Sequence, residues 1–172
     1  MLKLMASKQI LFENGRMEVL GIRDCFTPLE TYVLIQKEVF KKSGSDLIYS
    51  SAKKAGYNWF KKMAENFKGL TQSKASQWGV DLVALSGWGQ PEIEKIDFSI
   101  NFGIFNLRNS TLARAYGTST EPVDHLFRGL LAGGMSFGTK SDLDSIETHC
   151  LAKGDSFCRF LVGPKSLIQN KV

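Results

Sequence analysis

The residues best equipped for chemistry are two cysteines near the end of the chain, Cys150 and Cys158, equally far from Gly154. If the chain reverses at Gly154, positions 150 and 158 face each other across a hairpin, with Cβ atoms about 4.5–5.5 Å apart on one side of the sheet. Two thiolates at that spacing fit a shared zinc ion, whose bonds to sulfur are roughly 2.3 Å long. A cross-strand disulfide is near-possible, though a cytosolic setting argues against it. Two small buried thiols with no further role are the third alternative. Zinc needs further ligands, and the chain has only two histidines, His125 and His149. His149 neighbours Cys150 on a strand and so points to the opposite face. Asp124 and His125 follow Glu121-Pro122. A carboxylate and an imidazole are both acceptable zinc ligands, so either residue can complete a metal shell.

A second constellation is apolar. Trp59, Phe98, Phe102, Phe105, Tyr116 and Phe127 are candidates to line a pocket for an aromatic or hydrocarbon ligand, or else to pack as ordinary core. Binding sites are concave and largely apolar, so sequence does not separate the two. Small residues at Gly129, Ala132, Gly133 and Gly134 leave room for another helix or for a cavity. No residues are assigned a catalytic role. The chain has no G-x-G-x-x-G, P-loop, G-x-S-x-G or H-E-x-x-H pattern, and no nucleophile–base set stands out.

These groups must be positioned by helices and strands. Ile10–Phe12 and Met17–Ile22 flank Asn14-Gly15 and read as a hairpin. Thr27, Pro28 and Glu30 read as the capping box of a first helix, stopped at Gly44. A second helix runs from about Asp46 to Phe67, with Gly56 packed closely against another helix. A short helix over 71–78 and a strand over Val80–Leu85 follow. Ile96–Ile104 alternates apolar and polar residues over nine positions, the clearest strand signal in the chain. A short helix over Asn109–Ala115, a helix opened by Pro122, and strands at Leu143–Leu151 and Phe157–Val162 complete the order. That order indicates an α+β fold with a mostly antiparallel sheet, in one domain over 1–172, with residues 165–172 as a flexible tail.

Composition sets outer limits. In 172 residues, 43% are apolar and 23% charged, as in an ordinary globular domain. The net charge of +5 gathers at Lys41-Lys42, Lys53-Lys54 and Lys61-Lys62. These pairs read as solvated helix faces and not as a nucleic-acid stripe. No run of 18 apolar residues is present to span a membrane, and no signal peptide is recognisable, so a cytoplasmic location is expected.

Three stretches resemble one family. They are Glu121-Pro122-Val123-Asp124-His125, then Gly129-Leu130-Leu131-Ala132-Gly133-Gly134, then the segment from Glu147 to Phe160 with the pattern E-x-x-C-x-A-x-G-x-x-x-C-x-F. Together they are similar to the C-terminal signature of the vinyl-4-reductase domain family. Gly15-Arg16 and the region of Gly44, Tyr49 and Gly56 extend the resemblance to about 10–163. It implies a twisted antiparallel sheet packed with several helices, similar to TRAPP vesicle-tethering subunits, which enclose an apolar cavity and dimerise. It also implies zinc held by Cys150 and Cys158. A third family cysteine would fall at Asp124, which is a departure; aspartate can ligate there, or His125 can replace it. A further upstream acidic ligand finds no match. Because the family includes sensor domains of phenol-responsive regulators, the resemblance implies a small-molecule sensor that homodimerises and signals through a partner protein. An enzyme acting on a small apolar or tetrapyrrole substrate and a TRAPP-like scaffold are the alternatives.

Overall fold

Asn14 and Gly15 both adopt positive φ, 49° and 73°, the geometry that turns one strand tightly back on the next. In the computed structural model, which describes residues 10–19, 21–64 and 68–169, this turn joins β1 (Ile10–Glu13) to β2 (Arg16–Val19). A third strand, β3 (Ile22–Asp24), pairs with β2 and makes a small antiparallel sheet.

The long helical stretch α1 spans Leu29–Met63 and breaks at Gly44, whose φ of 67° no helix accommodates. Gly44 is thus the expected stop. The expected capping box does not form: Pro28 occupies the N-cap position and no side chain caps the helix. The second half of α1 ends at Met63, and Phe67, expected on its stripe, lies outside the described residues.

Next comes α2, Gln72–Leu85, with the Thr71 side chain accepting the Lys74 N–H. The strand expected at Val80–Leu85 is therefore helix. Gly79 does not stop it, and Leu82 is buried one turn beyond. The apolar run 80–85 suits either element in isolation, and packing decides it.

The main sheet has the order β4-β5-β7-β6, all antiparallel. Its strands are β4 (Gln90–Asp97), β5 (Phe102–Arg108), β6 (Asp144–His149) and β7 (Cys158–Gly163). The α+β expectation holds. The strand expected over Ile96–Ile104 instead contains a reversal: Asp97 accepts hydrogen bonds from the Ser99 backbone and hydroxyl, and Asn101 takes a φ of 52°. Alternation continues across this turn without being one strand.

Between β5 and β6 lie α3 (Thr111–Tyr116), capped by Ser110, and α4 (His125–Thr139). The latter begins at His125, not at Pro122. One face of the sheet carries the main core with Phe105, Leu107, Phe160 and Val162; the other holds Phe102, Leu161 and Ile168. Ile168 belongs to α5 (Lys165–Gln169). Residues 165–169 are therefore a docked helix where a flexible tail was expected. Among the described residues, no helix is long and apolar enough to cross a membrane.

α1 and α4 meet through glycine. A Cβ at Gly133 would stand 2.0 Å from the Lys53 carbonyl oxygen, and one at Gly56 would stand 2.4 Å from that of Leu130. The helices cannot approach this closely with any larger residue at these points. Gly133→Ala is expected to destabilise the protein by at least about 1–3 kcal/mol through overpacking. Gly138→Ala, whose Cβ meets nothing within 4 Å, is expected to stabilise it by roughly 0.5–1 kcal/mol. Urea unfolding of both variants checks the contrast; equal effects would remove the close-approach argument.

Candidate functional site

Four acidic side chains converge beneath the N-terminus of α4. Cys150 and Cys158 are both fully buried and free. They come together with Glu147, and the ligand atoms of all three lie within 4.8 Å of one another. The residues opposite at 149 and 159 pair across the strands, as a turn at Gly154 requires. That turn closes as a short 3-10 helix over Leu151–Lys153, with Gly154 at a φ of 101°. Asp155 secures it by accepting the Cys150 N–H at 2.7 Å.

Glu147 escaped the sequence reading. In a regular strand, residues three apart point to opposite faces. Here the register slips between Glu147, opposite Phe160, and His149, opposite Arg159. The extra residue is a β-bulge, which re-aims side chains, and it puts Glu147 and Cys150 on the same buried side. His149 turns away and stacks on Phe157, with ring centroids 5.9 Å apart.

Asp124 is the fourth member. It is fully buried; its Oδ1 accepts the Ser110 hydroxyl at 3.0 Å, and its own N–H donates to Glu147 Oε2 at 2.9 Å. His125 is placed elsewhere: its ring stacks on Phe40 at 5.7 Å, against α1. Burial pushes its pKa down to about 4, so the ring is neutral.

The electrostatics are those of acids forced together out of water. Burial first, then the neighbouring Asp124 and Cys150, push Glu147 up to about 10. Burial lifts Asp124 to about 6, with the Cys158 and Ser110 side chains drawing it back. The Cys158 thiol stabilises a Cys150 thiolate, whose pKa falls to about 5, while Cys158 itself is raised. In the absence of a cation the cluster thus keeps protons, which a metal would displace. Asp124 Oδ2 and Glu147 Oε1 are buried with no hydrogen-bond partner. Unsatisfied buried carboxylate oxygens beside two thiols are the donor set a zinc-type ion takes, so the residues fit the metal that the resemblance implies.

A separate cavity of about 1260 Å³ lies between the small sheet, α1, α2, β4, β5 and α4. Trp59, Phe98, Phe105 and Phe127 line it. Phe102 sits on the far face of the main sheet with Leu161 and Ile168, and Tyr116 packs on the core under the Lys37 ammonium; neither is part of the wall. The charged residues of the wall are Arg23, Asp24 and Lys62. None of the four metal-site residues reaches it.

Residues 104–164 match the vinyl-4-reductase domain family. Over 109 residues the chain is 28% identical to the phenol regulator MopR of Acinetobacter guillouiae, a match that covers 59% of this chain and 20% of that protein. The chain thus spans about a fifth of the length of this relative. The phenol-responsive sensory domain of the transcription activator PoxR, solved with phenol, superposes with a TM-score of 0.80 at 18% identity, covering 95% of this chain and 87% of that one. A vinyl-4-reductase family protein of Methanocaldococcus jannaschii gives a TM-score of 0.58 at 18% identity, covering 81% and 82%. A trafficking protein particle complex subunit 3 of Naegleria fowleri, covalently bound to palmitic acid, gives 0.50 at 12%, covering 80% and 95%. These structural likenesses establish the fold.

The three cysteines differ sharply in access, Cys25 being exposed and the other two buried. A thiol-reactive dye is expected to label one cysteine quickly in the native reduced protein and two more only after unfolding. Fast labelling of three would show that the Cys150–Cys158 site is open to solvent.

Proposed function

Because this chain belongs to the vinyl-4-reductase domain family through residues 104–164, we propose that it is a sensor-type module that binds a small apolar molecule, of the monocyclic aromatic class, in the cavity beneath its small sheet. The observation that carries the reading is the cavity itself. It is aromatic-walled, and Arg23, Asp24 and Lys62 are its charged groups. Its volume of about 1260 Å³ is at or above the upper end of ordinary small-molecule sites, about 300–1,000 Å³. The likeness to two phenol-responsive proteins supports the ligand class.

Binding there draws mainly on removal of apolar surface from water, about 25 cal/mol per Å² before ordering costs. Zinc at Asp124, Glu147, Cys150 and Cys158 acts in this reading as a structural clamp, tying the turn before α4 to the last hairpin. It touches nothing in the cavity wall. Output then passes through a partner protein or a second copy. Leu34 and Ile35 on α1, 62% and 58% exposed, with Leu47 beyond the Gly44 break, offer the apolar surface a second copy would cover. Sedimentation at micromolar concentration is expected to show a dimer that Ile35→Glu dissociates; a monomer throughout argues against it.

The binding test is calorimetric titration of the native protein with phenol, methylated phenols and toluene. At least one of them is expected to bind, with a negative heat-capacity change and little change in affinity between low and high salt, since no ion pair is needed. Leu131→Trp, which adds bulk at the cavity wall, is expected to weaken binding by about tenfold or more, roughly 1.4 kcal/mol. No binding by any member of the panel, or affinity that collapses with salt, would sink the reading.

A further inference from the structure

We propose that Asp124, standing where the family resemblance expects a cysteine, is the fourth ligand of a two-oxygen, two-sulfur metal site, and that Ser110 is its positioning residue. The inference rests on the zinc reading above and specifies which atoms bind and what kind of site they make.

Each carboxylate is held by one oxygen and spare at the other. Asp124 Oδ1 is engaged by the Ser110 hydroxyl, which itself accepts the Ala113 N–H at 3.1 Å. The backbone bond leaves the hydroxyl proton no better direction than Asp124. Asp124 Oδ2 is then left without a partner, in a residue fully removed from solvent. Glu147 repeats the arrangement: Oε2 takes the Asp124 N–H, and Oε1 is buried and unpartnered. The sulfur side is prepared in the same manner, with the Leu151 N–H donating to Cys158 Sγ at 3.2 Å. A lone buried carboxylate oxygen is costly. Two of them around one cysteine pair are accounted for by a single divalent cation, with the hydroxyl and backbone N–H groups as the outer contacts that orient its ligands.

His125 is the competing candidate, and its geometry opposes it. Its ring lies flat against Phe40, with an interplanar angle of 1°, on the α1 side of the helix start. Asp124 instead interacts with Cys158 and Cys150.

Replacing a thiolate by a carboxylate hardens the donor set. The site should therefore hold zinc less tightly than a three-sulfur version and accept Co²⁺ or Fe²⁺ more readily. Both carboxylates and the two sulfurs are supplied by three separate parts of the chain, namely the turn before α4, the bulge of β6 with the residue that follows it, and the start of β7. Metal loss would thus be felt as loosening of that junction.

The test uses the full chain, purified reduced and without chelator, analysed for zinc and then reloaded with Co²⁺ as a visible reporter. The expected native result is one metal per chain, with four-coordinate ligand-field bands and a charge-transfer band for two thiolates. Asp124→Cys should raise that charge-transfer band by about half, as three thiolates replace two, and should resist a chelator longer. Asp124→Ala should lose the four-coordinate bands. Ser110→Ala should lower affinity about 10–100-fold, as removal of an outer contact does, and Ser110→Thr should restore it. His125→Ala should leave spectrum and affinity unchanged. If Asp124→Ala binds Co²⁺ with native spectrum and affinity, Asp124 is not a ligand and the proposal falls. If Asp124→Cys binds metal and the native chain does not, the proposal falls while the sulfur-rich site survives. If neither binds, the zinc reading itself fails. Should Asp124→Ala not fold, the native and Asp124→Cys pair decides alone.

Discussion

The close pairing of α1 with α4 is the contact on which the other placements depend. It exists because Gly56, Gly129 and Gly133 present backbone where other residues present Cβ; at Gly129 a Cβ would come within 2.6 Å of both the Ala52 Cβ and the Tyr49 carbonyl oxygen. Interiors are close-packed and do not yield to a misplaced methyl group. With the two axes drawn together, α1 reaches the turn that carries Asp124: Gln36, itself buried, donates to the Val123 carbonyl at 2.7 Å. Phe40 covers the next residue, His125. The same pairing anchors β6 from the other side. Tyr49 donates to Asp144 at 2.7 Å and accepts the Ser145 N–H at 2.9 Å, three and two residues before Glu147. Two ends of the acidic cluster are thereby hung on one helix.

Much of this was legible in the residues themselves. Gly56 reads as a close approach, and the glycines around 133 as room for a helix, because the absence of a Cβ is a property of the residue and not of its surroundings. Cys150 and Cys158 read as partners because a hairpin's register is set by its turn, and Gly154 marks the turn. The misreadings share a cause: periodicity is local, while the element is chosen by the whole core. Residues 80–85 carry an apolar run that a buried strand or a helix can use equally, and their packing as α2 decides the matter. Residues 96–104 alternate through Asp97, whose carboxylate caps a reversal instead of continuing the strand. Phe98 consequently reaches the cavity while Phe102 lands on the opposite face of the sheet. Glu147 was invisible for a subtler reason. A bulge shifts every later side chain by one place, and nothing in the alternation of 143–151 announces it. Ser110 could be read as a helix cap, but not as the hydroxyl that meets Asp124, 14 residues further along the chain.

The two sites obey different physics within one core. The cavity is a region where contacts are non-directional, so its wall tolerates exchange among bulky apolar groups and its ligand is selected by size and apolar surface. The acidic cluster is directional. Each of its carboxylates has one committed oxygen, and removing a single hydroxyl or N–H would free that oxygen to rotate away from the sulfur pair. Phe127 stands at the boundary: it lines the cavity, packs near Phe160 at 5.1 Å and Trp88 at 6.0 Å, and follows Asp124 by less than one helical turn. Phe160 in turn lies on β7, the strand that begins with Cys158, and is opposite Glu147. An aromatic bridge thus separates the cavity from the cluster without insulating one from the other. It keeps water and ligand off the sulfur atoms, and its rings rest on the strands that carry them. That is the arrangement expected of a clamp whose task is to hold the floor of a binding pocket in one shape.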